Sequence, residues 1–231
     1  MKEARASDFF AERVAAYDSF ITRGCPRYHE MLQTLRDTLP ETADHILELG
    51  CGTGSLTVLV AERYPSSRIT AVDGAAEMVD VTRARLGEAQ PAAAERARFV
   101  TSAFEEMVVD EGAYDLITSN LALHHVADKQ PFYTRLAEAL VPGGKLVFAD
   151  EMVVNDPEIQ QRYWDWWLDF ARRPGGLSEA EIAECIEHMN AFDRYETLPR
   201  QLEMLTNGGL EDVDCVWRFL NYGVFTGTRA A

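Results

Sequence analysis

Ile46-Leu47-Glu48-Leu49-Gly50-Cys51-Gly52-Thr53-Gly54-Ser55-Leu56 joins an apolar, branched run to a glycine-rich turn, and the helical spacing of Leu56, Leu59 and Val60 follows at once. Such a succession is a buried strand, a sharp turn and a helix start, where missing Cβ atoms let the backbone approach a ligand closely. The glycines stand at 50, 52 and 54, a GxGxG spacing. The dinucleotide fingerprint needs GxGxxG, and position 55 is serine, so a nicotinamide dehydrogenase is disfavoured.

Working outward, Arg68-Ile69-Thr70-Ala71-Val72-Asp73 is a second short apolar strand that closes on a carboxylate 19 residues after Gly54. In an open parallel sheet, ligands sit beyond the C-terminal strand ends, and an acid there can accept both hydroxyls of a ribose. Asp73 also suits capping of the helix expected from Ala75. The two roles are compatible.

Three further segments follow in order. They are Tyr114-Asp115-Leu116-Ile117-Thr118-Ser119-Asn120, then Leu121-Ala122-Leu123-His124-His125, and Pro142-Gly143-Gly144-Lys145-Leu146-Val147. With the glycine turn and Asp73, they resemble the class I S-adenosylmethionine-dependent methyltransferases over nearly the whole chain. The ends are narrower in their likeness. Phe10-Ala11-Glu12-Arg13-Val14, Arg23-Gly24-Cys25-Pro26-Arg27-Tyr28 and Asn221-Tyr222-Gly223 look like the carboxy-S-adenosylmethionine synthases and their close methyltransferase relatives.

The expected fold is α/β: a doubly wound, seven-stranded, mostly parallel sheet with an antiparallel last strand. Helices are expected at 7–22 and 27–38, the second set by Pro26. Strands at 44–49, 68–73, 97–101, 114–120 and 145–150 alternate with helices at 54–63, 75–87 and 129–140, which implies parallel pairing with helical crossovers. Pro142-Gly143-Gly144 is a turn signal before the fifth strand. Segment 152–194 has little strand character; two helices, 156–171 and 178–190, are expected there, the second opened by a Ser178-Glu179-Ala180-Glu181 capping box. Strands at 212–219 and 222–228, joined by a short link, form an antiparallel pair. The expected organisation is one methyltransferase domain over 1–231. It comprises an N-terminal helical cap (1–42), a donor-binding core (43–151), a helical insertion or lid (152–194), and the last helix with the strand pair (195–231).

At 231 residues and 47% apolar content, one domain buries a full core. Thirty-eight acidic against 22 basic residues give a net charge of -16, a surface that repels phosphate backbones and anionic lipid. A small-molecule substrate is therefore expected, with neither nucleic acid nor membrane as partner. Lys2, Glu3, Arg5, Asp8 and Glu12 are incompatible with a secretory signal, and no apolar stretch approaches membrane-span length. Cysteines 25, 51, 185 and 215 have no metal-ligand spacing and read as reduced thiols of a cytoplasmic protein.

The resemblance implies S-adenosyl-L-methionine as cofactor and assigns its contacts. Gly50, Cys51 and Gly52 lie along the methionine portion, Asp73 at the ribose, Gly74 in the turn beside it, and Met78 on the adenine. Ala103 stands where the family usually carries an aspartate for the adenine amino group, which leaves Ser102 or Glu105 to substitute; the Phe104 backbone still reaches an adenine nitrogen. Tyr28 matches a ligand-contacting tyrosine of the synthases, and Asn120 ends the fourth strand where ligands gather. In those synthases an arginine of the last helix pairs with the extra carboxylate. Gln201 or Met204 occupies that place here, with Arg200 the nearest cation, which argues against a carboxylated donor because neither side chain has guanidinium geometry.

The expected reaction is in-line methyl transfer to a small-molecule acceptor, with His125, His124 and Tyr163, in that order, as candidate bases. Adjacent histidines are expected to point apart, so one at most faces the pocket. The aromatic run Tyr163-Trp164-Asp165-Trp166-Trp167 with Phe170 suits a core stripe, a homodimer contact or a lid over the donor. Rival readings are a donor-consuming enzyme that keeps the methyl (ring closure releasing methylthioadenosine, or carboxyl capture) and a non-catalytic donor-binding protein.

Overall fold

The computed structural model describes residues 6–11 and 14–230. Its sheet has seven strands: β1 (His45–Leu49), β2 (Arg68–Asp73), β3 (Arg98–Thr101), β4 (Tyr114–Asn120), β5 (Leu140–Glu151), β6 (Leu210–Phe219) and β7 (Tyr222–Arg229). They run in the order β3-β2-β1-β4-β5-β7-β6. The first five are parallel, and β7 is antiparallel to both β5 and β6. The expected sheet is thus present, with its order reversing between β1 and β4, the place where open α/β sheets take ligands.

Period-two alternation sorts side chains onto the two faces. Ile46 of β1 packs against α3 (Tyr28–Thr38), α4 (Ser55–Arg63) and α5 (Ala76–Ala89) through Leu35, Val60 and Leu86. Leu47 and Leu49 face the opposite way, onto Phe132 and Leu136 of α7 (Lys129–Ala139) and Leu205 of α10 (Leu198–Asn207). A four-residue helix, α6 (Pro91–Ala94), precedes β3.

The expected helix 7–22 is interrupted. The described part contains α1 (Ala6–Ala11), a 3-10 turn (Val14–Ala16) and α2 (Tyr17–Gly24). The Phe10-to-Val14 motif lies partly outside the described residues. Asp18, in the first turn of α2, accepts from Thr53 Oγ1 (2.5 Å) and Arg85 Nη1 (2.8 Å), which latches the cap to the glycine turn. Pro142-Gly143-Gly144 does not separate helix from strand as expected. It is absorbed into β5 as an irregularity, because pairing jumps from Tyr114↔Leu140 to Leu116↔Lys145 and Gly143 takes up the kink at φ 79°.

The insertion forms α8 (Pro157–Arg172) and α9 (Glu179–Phe192). Asp156 caps the first through Glu158 and Ile159 N–H, and the Ser178–Glu181 capping box opens the second. Trp167, Ala171, Leu177 and Ile182 make a satellite core that includes Phe20 of α2. Arg23 grips Glu181 through both carboxylate oxygens (2.6 and 3.1 Å), so insertion and cap pack on each other. Among the described residues, no helix is long and apolar enough to cross a membrane.

Candidate functional site

The turn after β1 takes its shape from glycine. Gly50, Gly52 and Gly54 have φ of 69°, 52° and 85°, a region costly for residues with a Cβ. A Cβ on Gly50 would lie 2.3 Å from the Cβ of Ala122, so β4's following loop closes directly over the turn. That approach is made by Leu121, itself at φ 55° and held by its N–H to Ala149 O (2.8 Å).

Asp73 joins turn to helix. One carboxylate oxygen accepts from Gly52 N–H (2.9 Å), the other from Ala75 N–H (2.9 Å) at the start of α5. Burial pushes its carboxyl above the usual aspartate range, opposed by the N–H groups of Ala75 and Gly52. Each oxygen keeps a second lone pair for a ligand hydroxyl. The capping and ribose roles are therefore sterically compatible.

A cavity of about 400 Å³ opens above these groups. Of the positions assigned to the donor, Gly50, Gly52, Asp73, Gly74, Met78, Ala103, Phe104 and Asn120 line it, and Ser102 and Glu105 flank Ala103 in the same wall. Cys51 and Tyr28 do not line it. Cys51 is buried beneath the turn, where burial raises its thiol, so it fills space. Tyr28 acts one step back: its hydroxyl accepts from Asn120 Nδ2 at 3.3 Å, and burial pushes it up to about 12. This leaves Asn120 Oδ1 buried without a hydrogen-bond partner, an acceptor suited to an ammonium group. Sequence reasoning missed Ser7, Phe10, Tyr17 and Arg194, which complete the wall. They come from the cap and from the segment before α10, and no local spacing announces them.

Of the readings open for the aromatic run, the core stripe holds for Trp167 and Trp164, and the lid does not. The aromatic run does not cover this cavity; α1 does, through Ala6, Ser7 and Phe10. Trp164 stacks on Trp167, whose Nε1 donates to Gly24 O, while Trp166 stacks on Phe170 and stays 41% exposed. Tyr163 lies in a separate cavity with Gln160, Tyr195 and Asn221, so its hydroxyl is not brought to the donor positions. Gln201 and Met204 are also remote. Both are buried in the core, where Gln201 Nε2 donates to Tyr133 OH (2.5 Å). The guanidinium that does enter the cavity wall among the described residues belongs to Arg194.

As expected, only one of the two histidines faces the main cavity, although their rings stay in contact. They sit in a 3-10 turn (Leu123–His125), stapled by the buried Lys129 ammonium donating to Leu123 O (3.0 Å) and Val126 O (2.9 Å). Their rings pack edge-on with centroids 4.1 Å apart. His125 lines the main cavity, whereas His124 lines a neighbouring one of about 80 Å³. The two cavities share Phe10, Tyr17, Leu121 and His125 as walls. Burial disfavours a charge on His124, but Asp150, 2.5 Å from Nδ1, outweighs it and raises the ring to about 9. His125 is held below its ordinary value by burial and by the neighbouring His124 charge, so it is neutral at pH 7 and can accept a proton.

Residues 46–144 match the model of a methyltransferase domain family. The chain is 27% identical to a carboxy-S-adenosyl-L-methionine synthase of Nitratiruptor, over 96% of this chain and 92% of that one. It is 29% identical to the enzyme of that name from Chromohalobacter salexigens, over 98% and 86%. Among solved structures, phosphoethanolamine N-methyltransferase 2 of Haemonchus contortus, in complex with S-adenosyl-L-methionine, superposes with a TM-score of 0.69 at 15% identity, covering all of this chain and 61% of that one. This last likeness is one of fold.

Proposed function

We propose, from the premise that the chain is a class I S-adenosylmethionine-dependent methyltransferase in fold and family, that it binds S-adenosyl-L-methionine in the 400 Å³ cavity and transfers its methyl group to a small molecule beside His125. The carrying observation is that glycine turn, Asp73 and Asn120 line one cavity whose far wall, at His125, opens a second space. The residues fit the donor: a glycine backbone turn in the cavity wall, a carboxylate with free lone pairs for ribose hydroxyls, and the orphaned Asn120 oxygen for its ammonium. When bound, the sulfonium supplies an electrophilic methyl carbon.

The chain's own part is positional. Asp73 and the turn fix one end of the donor, Asn120, held by Tyr28, the other, and Phe10 and Tyr17 keep water from the space between. Such alignment can supply several kcal/mol, with about 7–11 as a ceiling. Neutral His125 takes a proton from an acceptor that arrives protonated. The strongly acidic composition supports a small acceptor over nucleic acid, and the four free cysteines fit a reducing cytoplasmic setting.

A second reading has a specific observation behind it. The relatives named above are carboxy-S-adenosyl-L-methionine synthases, and Arg194 places a guanidinium in the cavity wall, although not at the helical position expected for it. Mass spectrometry of the products from S-adenosylmethionine, alone and with a metabolite extract, separates the readings. Methyl transfer requires S-adenosylhomocysteine to appear only with the extract, alongside a product heavier by one methylene. A carboxylated donor whose formation Arg194→Ala abolishes would establish the second reading. Methylthioadenosine above spontaneous breakdown, or tight binding without turnover, would overturn both.

A further inference from the structure

Beside the donor cavity, Asp193 gathers three imidazoles. Its Oδ1 lies 3.0 Å from His125 Nδ1, 3.7 Å from His188 Nε2 and 3.9 Å from His124 Nε2. The candidate ligand atoms of His124, His125 and Asp193 fall within 4.8 Å of one another. We propose that His124, His125 and Asp193, with His188 as an adjacent fourth donor, form a site for a divalent first-row transition ion at the wall between the two cavities.

Four observations carry this. Ligands about 2.0–2.2 Å from one ion stand roughly 3–3.5 Å apart, so the spacings to Asp193 Oδ1 need only small ring movements to close. The outer contacts are those of a metal site. His124 Nδ1 engages Asp150 (2.5 Å), which leaves Nε2 turned toward Asp193, and Asp193 Oδ2 accepts from Tyr195 OH (2.5 Å), which leaves Oδ1 turned toward the imidazoles. The inner atoms are unsatisfied. Asp193 Oδ1 and both ring nitrogens of His125 are buried without an aligned hydrogen bond, although the Asp193 side chain is only 3% exposed. The 3.0 Å approach of His125 Nδ1 to Asp193 Oδ1 satisfies neither group by a well-aligned bond, and a cation would satisfy both together. Finally, aromatic rings enclose the imidazoles, with Glu151 a further carboxylate in the smaller cavity: Phe9 and Phe192 pack on His188, and Phe10 packs on both His125 and His188.

Two imidazoles and one carboxylate, with a third imidazole at hand, suit Zn²⁺, Fe²⁺ or Co²⁺ better than Mg²⁺ or Ca²⁺, which prefer all-oxygen sets. An ion there would face the 80 Å³ cavity and hold an acceptor's oxygen or nitrogen donor toward the bound methyl group. It would displace the proton from His124 Nε2 to solvent and occupy the His125 lone pair, so ion and free base are alternative states of the His125 ring. Metal capture stands independently of the reaction, whereas the role in holding an acceptor rests on the methyl-transfer reading.

The test is titration of the untagged, chelator-treated chain with Co²⁺, read by visible d–d absorption. Expected are saturation at one equivalent and displacement by Zn²⁺. His125→Gln should weaken Co²⁺ binding at least 100-fold. Asp150→Asn, which removes only an outer partner, should weaken it about 10- to 100-fold. S-adenosylhomocysteine binding on the same samples reports whether each variant is folded and whether the donor site holds separately. Absence of saturable Co²⁺ binding by the folded chain would overturn the proposal, as would one-equivalent binding that survives His125→Gln.

Discussion

Asp73→Asn probes the joint on which the proposed donor binding depends. The carboxylate accepts from Gly52 and Ala75 N–H, each at 2.9 Å. Asparagine has one acceptor oxygen, so either N–H must then face the amide's own donors. Losing one charge-assisted bond costs about 1.5–3 kcal/mol. In a chain of this size that is a fall in melting temperature of roughly 3–12 °C without ligand. On the proposed assignment, the ribose hydroxyls lose a charged acceptor as well. If that loss is of similar size, S-adenosylhomocysteine affinity falls about 10- to 150-fold. Isothermal titration calorimetry with this ligand, alongside thermal denaturation of the free protein, reads the two effects separately. A folded Asp73→Asn protein that binds within threefold of the parent would refute the assignment of Asp73 to the ribose. An unchanged melting temperature would refute its role in joining turn and helix.

Two further outcomes follow from buried groups beside the site. Gly50→Ala sets a Cβ 2.3 Å from that of Ala122 and places alanine at φ 69°, which costs about 1–2 kcal/mol before the clash is counted; Ala122→Gly in the same chain should restore part of the lost melting temperature, and a double variant no more stable than the single one would contradict the geometry. Glu48, fully buried on β1 without a hydrogen-bonded partner, is pushed up to about 8 by burial. Its native form therefore keeps a proton that the unfolded chain releases near pH 4.3. Stability falls as pH rises from there to about 8, by several kcal/mol in total at this site. Urea denaturation at pH 5, 6.5 and 8 should show Glu48→Gln gaining on the parent as pH rises, and parallel curves would refute the buried, protonated carboxyl.

Sequence alone determined the sheet and one wall of the candidate cavity. Branched runs ending in glycine or acid have a period of two, helices a period near four, and their alternation leaves little choice but parallel strands with crossovers; the capping box at Ser178 is equally local. Gly50, Gly52 and Asp73 were legible because their chemistry lies within one strand-turn-helix-strand unit. What closes the site depended on how distant segments pack. Arg194 and Asp193 reach the histidine turn because α8 and α9 dock on α2, through Trp167 and the Arg23–Glu181 pair. Likewise Tyr28 meets Asn120 across 92 residues of chain, and Ala122 meets Gly50 because Leu121 adopts φ 55°. Spacing along a chain encodes contacts within a few residues, whereas side chains from separate elements converge only once burial of their apolar faces has fixed where each element lies.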